Sequence, residues 1–387
     1  MPPTSLRERL ASLGGNARPA PRPDPGRRRL PVGFEAQETD LGIAWRWAEV
    51  LPVGRLSPGP AHDLLGGVEP SGFCFVDTET TGLAGGTGTY AFTVAIARPH
   101  PHGIELVQLF LPEPGDEPAF LLALDSELRQ SPGIATYNGA SFDLPLLRTR
   151  WTLNRMPGEL GVGVHLDLLH LSRALLRPRI GSCTLKAVEE RLLGFEREED
   201  IAGELIPQCY FDFLRSGWSR DLESALEHNR QDVLSLQHLL HRLLRRVRGQ
   251  DSAMEAGDWL ALARWLQRRR NRSAAWRAYR VAAEMNDGDA SLDAELVIAR
   301  RKAVLLEWRL RDPVAALRVV ERALERIGPD PDLLKRRWRL RDRLDRANRR
   351  PLKRGQTFAF ADQSGQGLDD LRIESLPRLV AQALGSL

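Results

Sequence analysis

The stretch Phe73–Tyr90, FCFVDTETTGLAGGTGTY, decides the fold of this 387-residue chain. Its first residues are apolar, aromatic and β-branched, which is the pattern of a buried β-strand. The strand runs into Asp77 and Glu79, and residues two apart in a strand point to the same side. Two carboxylates are therefore predicted to converge where the strand meets a polar, glycine-rich loop.

This pair of carboxylates has two explanations. Adjacent carboxylates repel each other, and a divalent cation with oxygen ligands, Mg²⁺ or Mn²⁺, would relieve that repulsion. Alternatively, Asp77 and Glu79 are solvated loop residues. Asp-x-Glu is a common sequence, so its presence alone does not indicate a metal site. The loop Gly82–Gly88 lacks the Gly-Lys-Ser/Thr ending of a nucleotide-binding loop, so it is predicted to be a turn between two strands.

The composition is typical of a soluble protein, with 42% hydrophobic and 27% charged residues. Cys74, Cys183 and Cys209 form no Cys-x-x-Cys pair, so a zinc site or disulfide framework is not expected and a reducing cytoplasm is predicted. No apolar run is long enough to span a membrane, and the N-terminus lacks the apolar core of a secretion signal. The net charge of +4 permits a polyanionic partner without requiring one.

Hydrophobic periodicity predicts a mixed α/β domain followed by a helical region. Three strands, Phe73–Val76, Tyr90–Ala97 and Ile104–Leu111, are predicted to form an antiparallel meander. Leu222–Leu244 is the clearest helix, because its leucines recur every three or four residues. Residues 1–32 are predicted to be a disordered basic, proline-rich tail or, alternatively, a basic arm for nucleic acid, and residues 33–70 an irregular lead-in. The α/β domain is predicted over 71–248. It is followed by helices resembling degenerate tetratricopeptide-like repeats over 249–350 and by a linker with a short apolar segment over 351–387.

Further acidic residues occur at the ends of other predicted elements. In TYNGASFDLPLL, Asp143 begins a helix whose N-terminus stabilises a carboxylate, or it is simply a first-turn residue. His228 and Asp232 are four apart on one face of the long helix, as a pair belonging to a site or as a structural pair. Asp167 is predicted to cap the next helix rather than to bind a metal. Two further helices are predicted over Leu166–Leu176 and Thr184–Leu193, and Ser182 is predicted as the N-cap of the second.

Taken in order, these segments resemble the DEDD exonucleases, the DnaQ-like branch of the ribonuclease-H-like superfamily. The sequence of about residues 71–245 resembles its YprB-type subfamily more closely still. The resemblance lies in the blocks VDTETTGLAGGTGTYAF, TYNGASFDLPLL, SCTLKAVEERLLG, IPQCYFDFLRSG and HNRQDVLSL. The resemblance implies a five-stranded mixed sheet flanked by helices. It also implies that two Mg²⁺ or Mn²⁺ ions are bound by Asp77, Glu79, Asp143 and Asp232, to activate a water and stabilise the reacting phosphodiester.

One residue departs from the family pattern. These enzymes have a tyrosine four residues before the last aspartate or a histidine five residues before it, whereas here His228 stands four residues before Asp232. An imidazole with a pKa near 6.5 can accept a proton from water, and a tyrosine with a pKa near 10 is better suited to orienting it. His228 is therefore predicted to be the general base or the group that orients the water.

The predicted function is a metal-dependent nuclease, specifically a 3′→5′ exonuclease that acts on a single-stranded 3′ end of DNA or RNA. The alternative is a weak or inactive module of the same fold that binds nucleic acid or protein through its helical region. A basic run at the junction is either a groove that follows phosphates or a solvated face. Its members are Arg242, Arg245, Arg246, Arg248, Arg264, Arg268, Arg269, Arg270 and Arg272.

Overall fold

The structure is a computed structural model that describes residues 29–52, 65, 67–82, 86–156, 163–197, 201–285 and 288–348. The predicted tail up to residue 28 and the predicted C-terminal segment 351–387 lie outside these ranges. The chain divides into two compact units. The first takes its described residues from 1–172 and 182–245, and the second from 173–181 and 246–387.

A seven-stranded mixed sheet is the centre of the first unit, in the order β1-β2-β5-β4-β3-β6-β7. The pairs β1-β2, β2-β5, β5-β4 and β4-β3 are antiparallel, whereas β3-β6 and β6-β7 are parallel. The predicted meander is confirmed as β3, β4 and β5. The strands are β1 (Glu35–Thr39), β2 (Gly42–Leu51), β3 (Phe73–Thr80), β4 (Ala91–His100), β5 (Gly103–Phe110), β6 (Gly133–Thr136) and β7 (Val164–Asp167).

The prediction of an irregular lead-in is wrong over residues 35–51. This segment is a hairpin of β1 and β2, and β2 pairs with β5 from Trp45 opposite Phe110 to Leu51 opposite Ile104. Trp45 and Trp47 pack against a buried aromatic cluster that includes Phe110, which gives this hairpin an apolar side. The hairpin therefore extends the five predicted strands to seven.

Helices cover both faces of the sheet. Leu109 and Phe110 are neighbours in β5 but belong to two different buried clusters, because successive strand residues point to opposite faces. The helices are α1 (Glu117–Leu128), α2 (Asp143–Leu153), α3 (Leu168–Ile180), α4 (Leu185–Val188, continued by a π-helical turn Glu189–Leu193), α5 (Ile206–Ser216) and α6 (Leu222–Val247).

Two local predictions in this unit need correction. Residues 166 and 167 end a strand, β7, rather than begin a helix, because this segment pairs in parallel with β6. The N-cap of α4 is Thr184 rather than Ser182, since the Thr184 hydroxyl accepts from the backbone N–H of Ala187 at 3.3 Å. The described ends of the glycine-rich loop are joined by a hydrogen bond from Thr81 N to Tyr90 O at 2.9 Å, so this loop is the predicted turn between β3 and β4.

The described part of the second unit beyond residue 248 is helical, as predicted. Its helices are α7 (Ala256–Arg268), α8 (Arg272–Glu284), α9 (Gly288–Val304, continued by a π-helical turn Leu305–Arg309), α10 (Pro313–Ile327) and α11 (Pro331–Asn348). Small and apolar residues such as Ala303, Val320 and Leu340 form the core of its last three helices. That these helices are tetratricopeptide-like stays a prediction. None of the helices in the described ranges is both long enough and apolar enough to cross a membrane.

Candidate active site

Strand β3 brings Asp77 and Glu79 to one side of the sheet, where the strand ends. Asp77 lies opposite Ala95 and Glu79 opposite Thr93 in the pairing with β4, and the register shifts immediately after Glu79. The residues before them, Phe73 to Val76, are buried and hold the strand in the middle of the sheet. The two carboxylates are therefore presented from a rigid element, as the alternation of the strand predicts.

The charge of Asp77 is strongly disfavoured in the folded protein. Burial raises the pKa of Asp77 well above its usual range, and the charges of Asp232, Asp143 and Glu79 raise that pKa further. A hydrogen bond from the Asn229 amide to Asp77 Oδ2 at 2.7 Å opposes this effect. The other three predicted carboxylates thus come close enough to Asp77 to disfavour its charge, although Asp143 and Asp232 are far from it in sequence.

Asp143 enters this cluster from the first turn of α2. The Thr78 hydroxyl donates to Asp143 Oδ1 at 2.5 Å, which links the residue between the two β3 carboxylates to the helix. Burial raises the pKa of Asp143 to about 6, while the hydrogen bond from Thr78 opposes that shift. The nearby charge of Asp167 adds to the increase.

The turn before Asp143 is held from β7. Asp167 accepts hydrogen bonds from the backbone N–H groups of Asn138 at 2.9 Å and Ala140 at 3.2 Å. It also accepts from Leu169 N at 3.0 Å, which confirms its predicted role as the cap of the following helix. Asn138 has a left-handed φ of 67°, and a Cβ on Gly139 would lie 2.3 Å from the Thr136 hydroxyl, so the turn admits little variation.

Helix α6 contributes the remaining predicted residues. His228 Nε2 lies 3.9 Å from Glu79 Oε1 and 3.8 Å from Asp232 Oδ2. Burial raises the pKa of Asp232, and the charges of Arg197 and His228 oppose that shift. The structure therefore brings together all five residues that the sequence singles out, namely Asp77, Glu79, Asp143, His228 and Asp232.

Arg197 is a site residue that the sequence did not reveal. It donates to both oxygens of Glu189, to Asp232 Oδ1 and, at 3.2 Å, to His228 Nδ1. Burial acts to lower the pKa of Arg197, but the contacts with Glu189 and Asp232 outweigh it and raise that pKa. No periodic pattern marks Arg197, because it follows a π-helical turn in an irregular connection.

Two buried amides complete the surroundings of Asp77. Gln108 of β5 donates through Nε2 to Asn229 Oδ1 and to the Leu226 carbonyl, both at 2.9 Å. Asn229 can then use its own amide N–H group for Asp77. A signal for this network was present in the sequence, since Gln108 is a single polar residue within the apolar run LVQLF.

The four carboxylates have the ligand chemistry of a site for a hard divalent cation, but they do not stand in the geometry of a formed metal site. All four carboxylates offer the oxygen ligands that Mg²⁺ and Mn²⁺ prefer, and their mutual repulsion at Asp77 is the cost that such an ion removes. Among the residues that the structure describes, no three or more His, Cys, Asp or Glu side chains stand in ligand geometry. Asp232 is instead held by Arg197, and Asp143 by Thr78.

At least three of the nine arginines in the basic run at the junction make contacts with other side chains. Arg246 is buried and pairs with Asp251 at 2.9 Å and Asp258 at 2.8 Å, so neither predicted interpretation, phosphate groove or solvated face, holds for it. Arg264 pairs with Asp293 at 3.0 Å, and Arg269 stacks on the Trp265 ring at 4.7 Å. The predicted phosphate-binding groove therefore loses at least one of its members.

The region that contains this cluster is similar to known proteins. Residues 74–244 match the family model described as the RNase_H superfamily. A Bacillus subtilis (strain 168) protein named "Uncharacterized protein YprB" is 36% identical over 211 residues, which are 54% of this chain and 51% of that protein. The chain thus matches about half the length of this curated relative.

The comparison with solved structures includes the family B DNA polymerase of the hyperthermophilic archaeon Pyrobaculum calidifontis. The match covers 65% of this chain and 33% of the polymerase chain, with 18% identity and a TM-score of 0.38. A likeness at that score does not distinguish between functions.

Proposed function

We propose that the protein is a metal-dependent nuclease that acts as a 3′→5′ exonuclease, on the basis of the carboxylate cluster that lies within the match of residues 74–244 to the RNase_H superfamily model. The observation that carries this proposal is the convergence of Asp77, Glu79, Asp143 and Asp232 from β3, α2 and α6, with His228 Nε2 lying 3.9 Å from Glu79 Oε1 and 3.8 Å from Asp232 Oδ2. The raised pKa of Asp77 is consistent with this convergence. A purely structural core would not bring together four carboxylates from three separate elements. Strongly perturbed carboxylates are instead typical of functional sites.

Asp77, Glu79, Asp143 and Asp232 are the residues that would hold two Mg²⁺ or Mn²⁺ ions. Such ions activate a water and stabilise the charge that develops on the phosphodiester. The protein supplies the arrangement of the oxygens: Thr78 orients the Asp143 carboxylate, and Asn229 orients that of Asp77. His228 Nε2 faces the same cluster from α6, where it can hydrogen-bond a water or a substrate oxygen.

The experiment is incubation of the full chain with single-stranded DNA and RNA in Mg²⁺ or Mn²⁺. Substrates labelled at the 3′ end, substrates labelled at the 5′ end and circular strands separate the direction and type of cleavage. Asp77→Asn is the inactive variant, and Asp125→Asn on α1, whose carboxylate pairs with Arg129, is the matched control. Expected are release of mononucleotides from 3′ ends, no cleavage of circles and loss of activity in Asp77→Asn only.

Two results contradict the proposal at different levels. Cleavage of circular strands that depends on metal and on Asp77 would support the proposed nuclease activity but contradict its assignment as an exonuclease. Absence of metal-dependent cleavage with every substrate, together with retained binding, would favour the module that binds without cutting. The ion pair between Arg197 and Asp232 is the observation that gives this second candidate weight, because it engages one of the four carboxylates.

A further inference from the structure

Arg197 is anchored on the side away from the carboxylate cluster. Its Nε and one terminal nitrogen donate to the two oxygens of Glu189 at 2.8 and 2.6 Å. The Glu189 side chain is 1% exposed and that of Arg197 is 7% exposed. A buried bidentate pair of this kind fixes the plane of the guanidinium more firmly than a single contact would.

The fixed guanidinium presents its terminal nitrogens to two neighbouring residues of α6. One nitrogen donates to Asp232 Oδ1, and the other lies 3.2 Å from His228 Nδ1. These two residues are four apart, so they stand one above the other on the same helix face. Arg197 therefore contacts the imidazole and the carboxylate together.

The contact with His228 determines which ring nitrogen carries the proton. A guanidinium has only donors, so the nitrogen that faces it, Nδ1, must accept. A proton on Nδ1 would point directly at a cation. In the neutral ring the proton therefore resides on Nε2, which is the nitrogen directed to Glu79 Oε1 at 3.9 Å and Asp232 Oδ2 at 3.8 Å.

We propose that Arg197 is a positioning residue that fixes His228 as an Nε2–H donor toward the carboxylate cluster. In this tautomer the Nε2 atom has no lone pair in the ring plane, so it cannot take a proton from an attacking water. His228 instead donates a hydrogen bond to a water or substrate oxygen in the gap between it and the carboxylates. The catalytic meaning of this arrangement rests on the proposed nuclease function, whereas the tautomer itself does not.

The tautomer is tested directly by NMR of the full chain labelled with ¹⁵N-histidine, without metal and near neutral pH. The His228 signals are assigned by their absence in His228→Gln. The wild type is expected to show a protonated Nε2 and an unprotonated Nδ1. A wild-type ring with its proton on Nδ1 would overturn the proposal, whether or not the protein has nuclease activity.

To test whether the His228 tautomer depends on Arg197, a variant is needed that does not leave Glu189 buried and unpaired. Arg197→Met combined with Glu189→Gln removes the guanidinium and the buried charge together. In this double variant the His228 ring is expected to lose its single tautomer and to populate both. Arg98→Met combined with Glu127→Gln removes another buried ion pair of the same unit as the matched control, and should leave the tautomer unchanged. An unchanged tautomer in the first double variant would show that Arg197 does not set it.

The role of the donor is tested by comparing His228→Tyr with His228→Ala in the nuclease assay. A tyrosine has a pKa near 10, so at neutral pH it donates its O–H and does not act as a base. We expect His228→Tyr to stay within about tenfold of wild-type kcat, and His228→Ala to lose roughly 10²–10³-fold, as when a preorganised donor is removed. Equal losses in both variants would restore the general base and refute the donor role. A wild type inactive on every substrate would refute the proposed function and leave the NMR result standing.

Discussion

Two groups of buried carboxylates in the first unit are neutralised in different ways. On α1, the two oxygens of Glu117 accept from Nε and one terminal nitrogen of Arg150, both at 2.6 Å, and Glu127 pairs with Arg98 and with Arg46. At the candidate site, the hydrogen bonds to Asp77 and Asp143 come from the neutral groups of Asn229 and Thr78. The first arrangement is complete within the chain. The second leaves repulsion at Asp77 that a bound cation would remove, although Arg197 pairs with Asp232 in the same cluster.

The largest effect is expected from Asp77→Asn, which should break the site and spare the fold. Under the proposed two-metal function, loss of this carboxylate should remove several kcal/mol of transition-state stabilisation and lower kcat/KM by on the order of 10³-fold. The thermal midpoint of the metal-free variant should equal or exceed that of the wild type, because one repelling charge is gone. A turnover assay measures kcat/KM, and differential scanning fluorimetry measures the thermal midpoint. A variant that unfolds earlier would show that Asp77 is a structural residue.

Glu117→Gln should give the opposite outcome. It leaves the buried Arg150 without its carboxylate partner, which costs about 3–5 kcal/mol of unfolding free energy. Activity of the molecules that remain folded should be unchanged. Urea denaturation and an assay well below the midpoint test this pair of expectations. A loss of turnover larger than the loss of folded protein would mean that the two carboxylate groups are not independent.

Metal binding and pH sharpen the comparison further. The pKa of Asp143 is raised in the folded state to about 6, so its burial as a charged group destabilises the metal-free protein increasingly as pH rises from about 4 through 6. Mg²⁺ or Mn²⁺ should reverse this loss, by about 2.7 kcal/mol at a hundredfold excess over Kd. The gain in thermal midpoint on adding metal should therefore be larger at pH 7 than at pH 5. An equal gain at both values, or the same gain in Asp77→Asn, would contradict binding at this cluster.

The smallest effect is expected from Asp167→Asn. Asparagine keeps one acceptor and loses the other, so one of the backbone N–H groups of the turn loses its partner, at about 1–3 kcal/mol. Because that turn places Asp143, affinity for Mn²⁺ should fall along with stability. Thr149→Ser, on the exposed side of α2, provides a control for general changes in that helix. Weakened stability with unaltered Mn²⁺ titration would limit Asp167 to a structural role.

The sequence predicts elements better where a periodic pattern coincides with a buried face. The alternation of β3 predicts that Asp77 and Glu79 share a side, and the leucine stripe predicts α6 with His228 and Asp232 on one face. The hairpin of β1 and β2 was missed because prolines and glycines surround its aromatic residues. Arg197 was missed for a different reason: its contacts with His228 and Asp232 span 31 and 35 residues, and no local pattern encodes them.

The amide of Gln108 has a consequence for the order in which the molecule is assembled. It joins β5 to residues 118 and 121 positions later in the chain, and Asn229 reaches back 152 positions to Asp77. We expect contacts across such separations to form late, because the entropy of closing a long loop must be overcome first. A nascent chain that has made the sheet but not yet docked α6 therefore has its first two carboxylates in place without a complete site. Under the proposed nuclease function, the active site is complete only when α6, the last helix of the domain, has docked, so partly folded molecules are expected to be inactive.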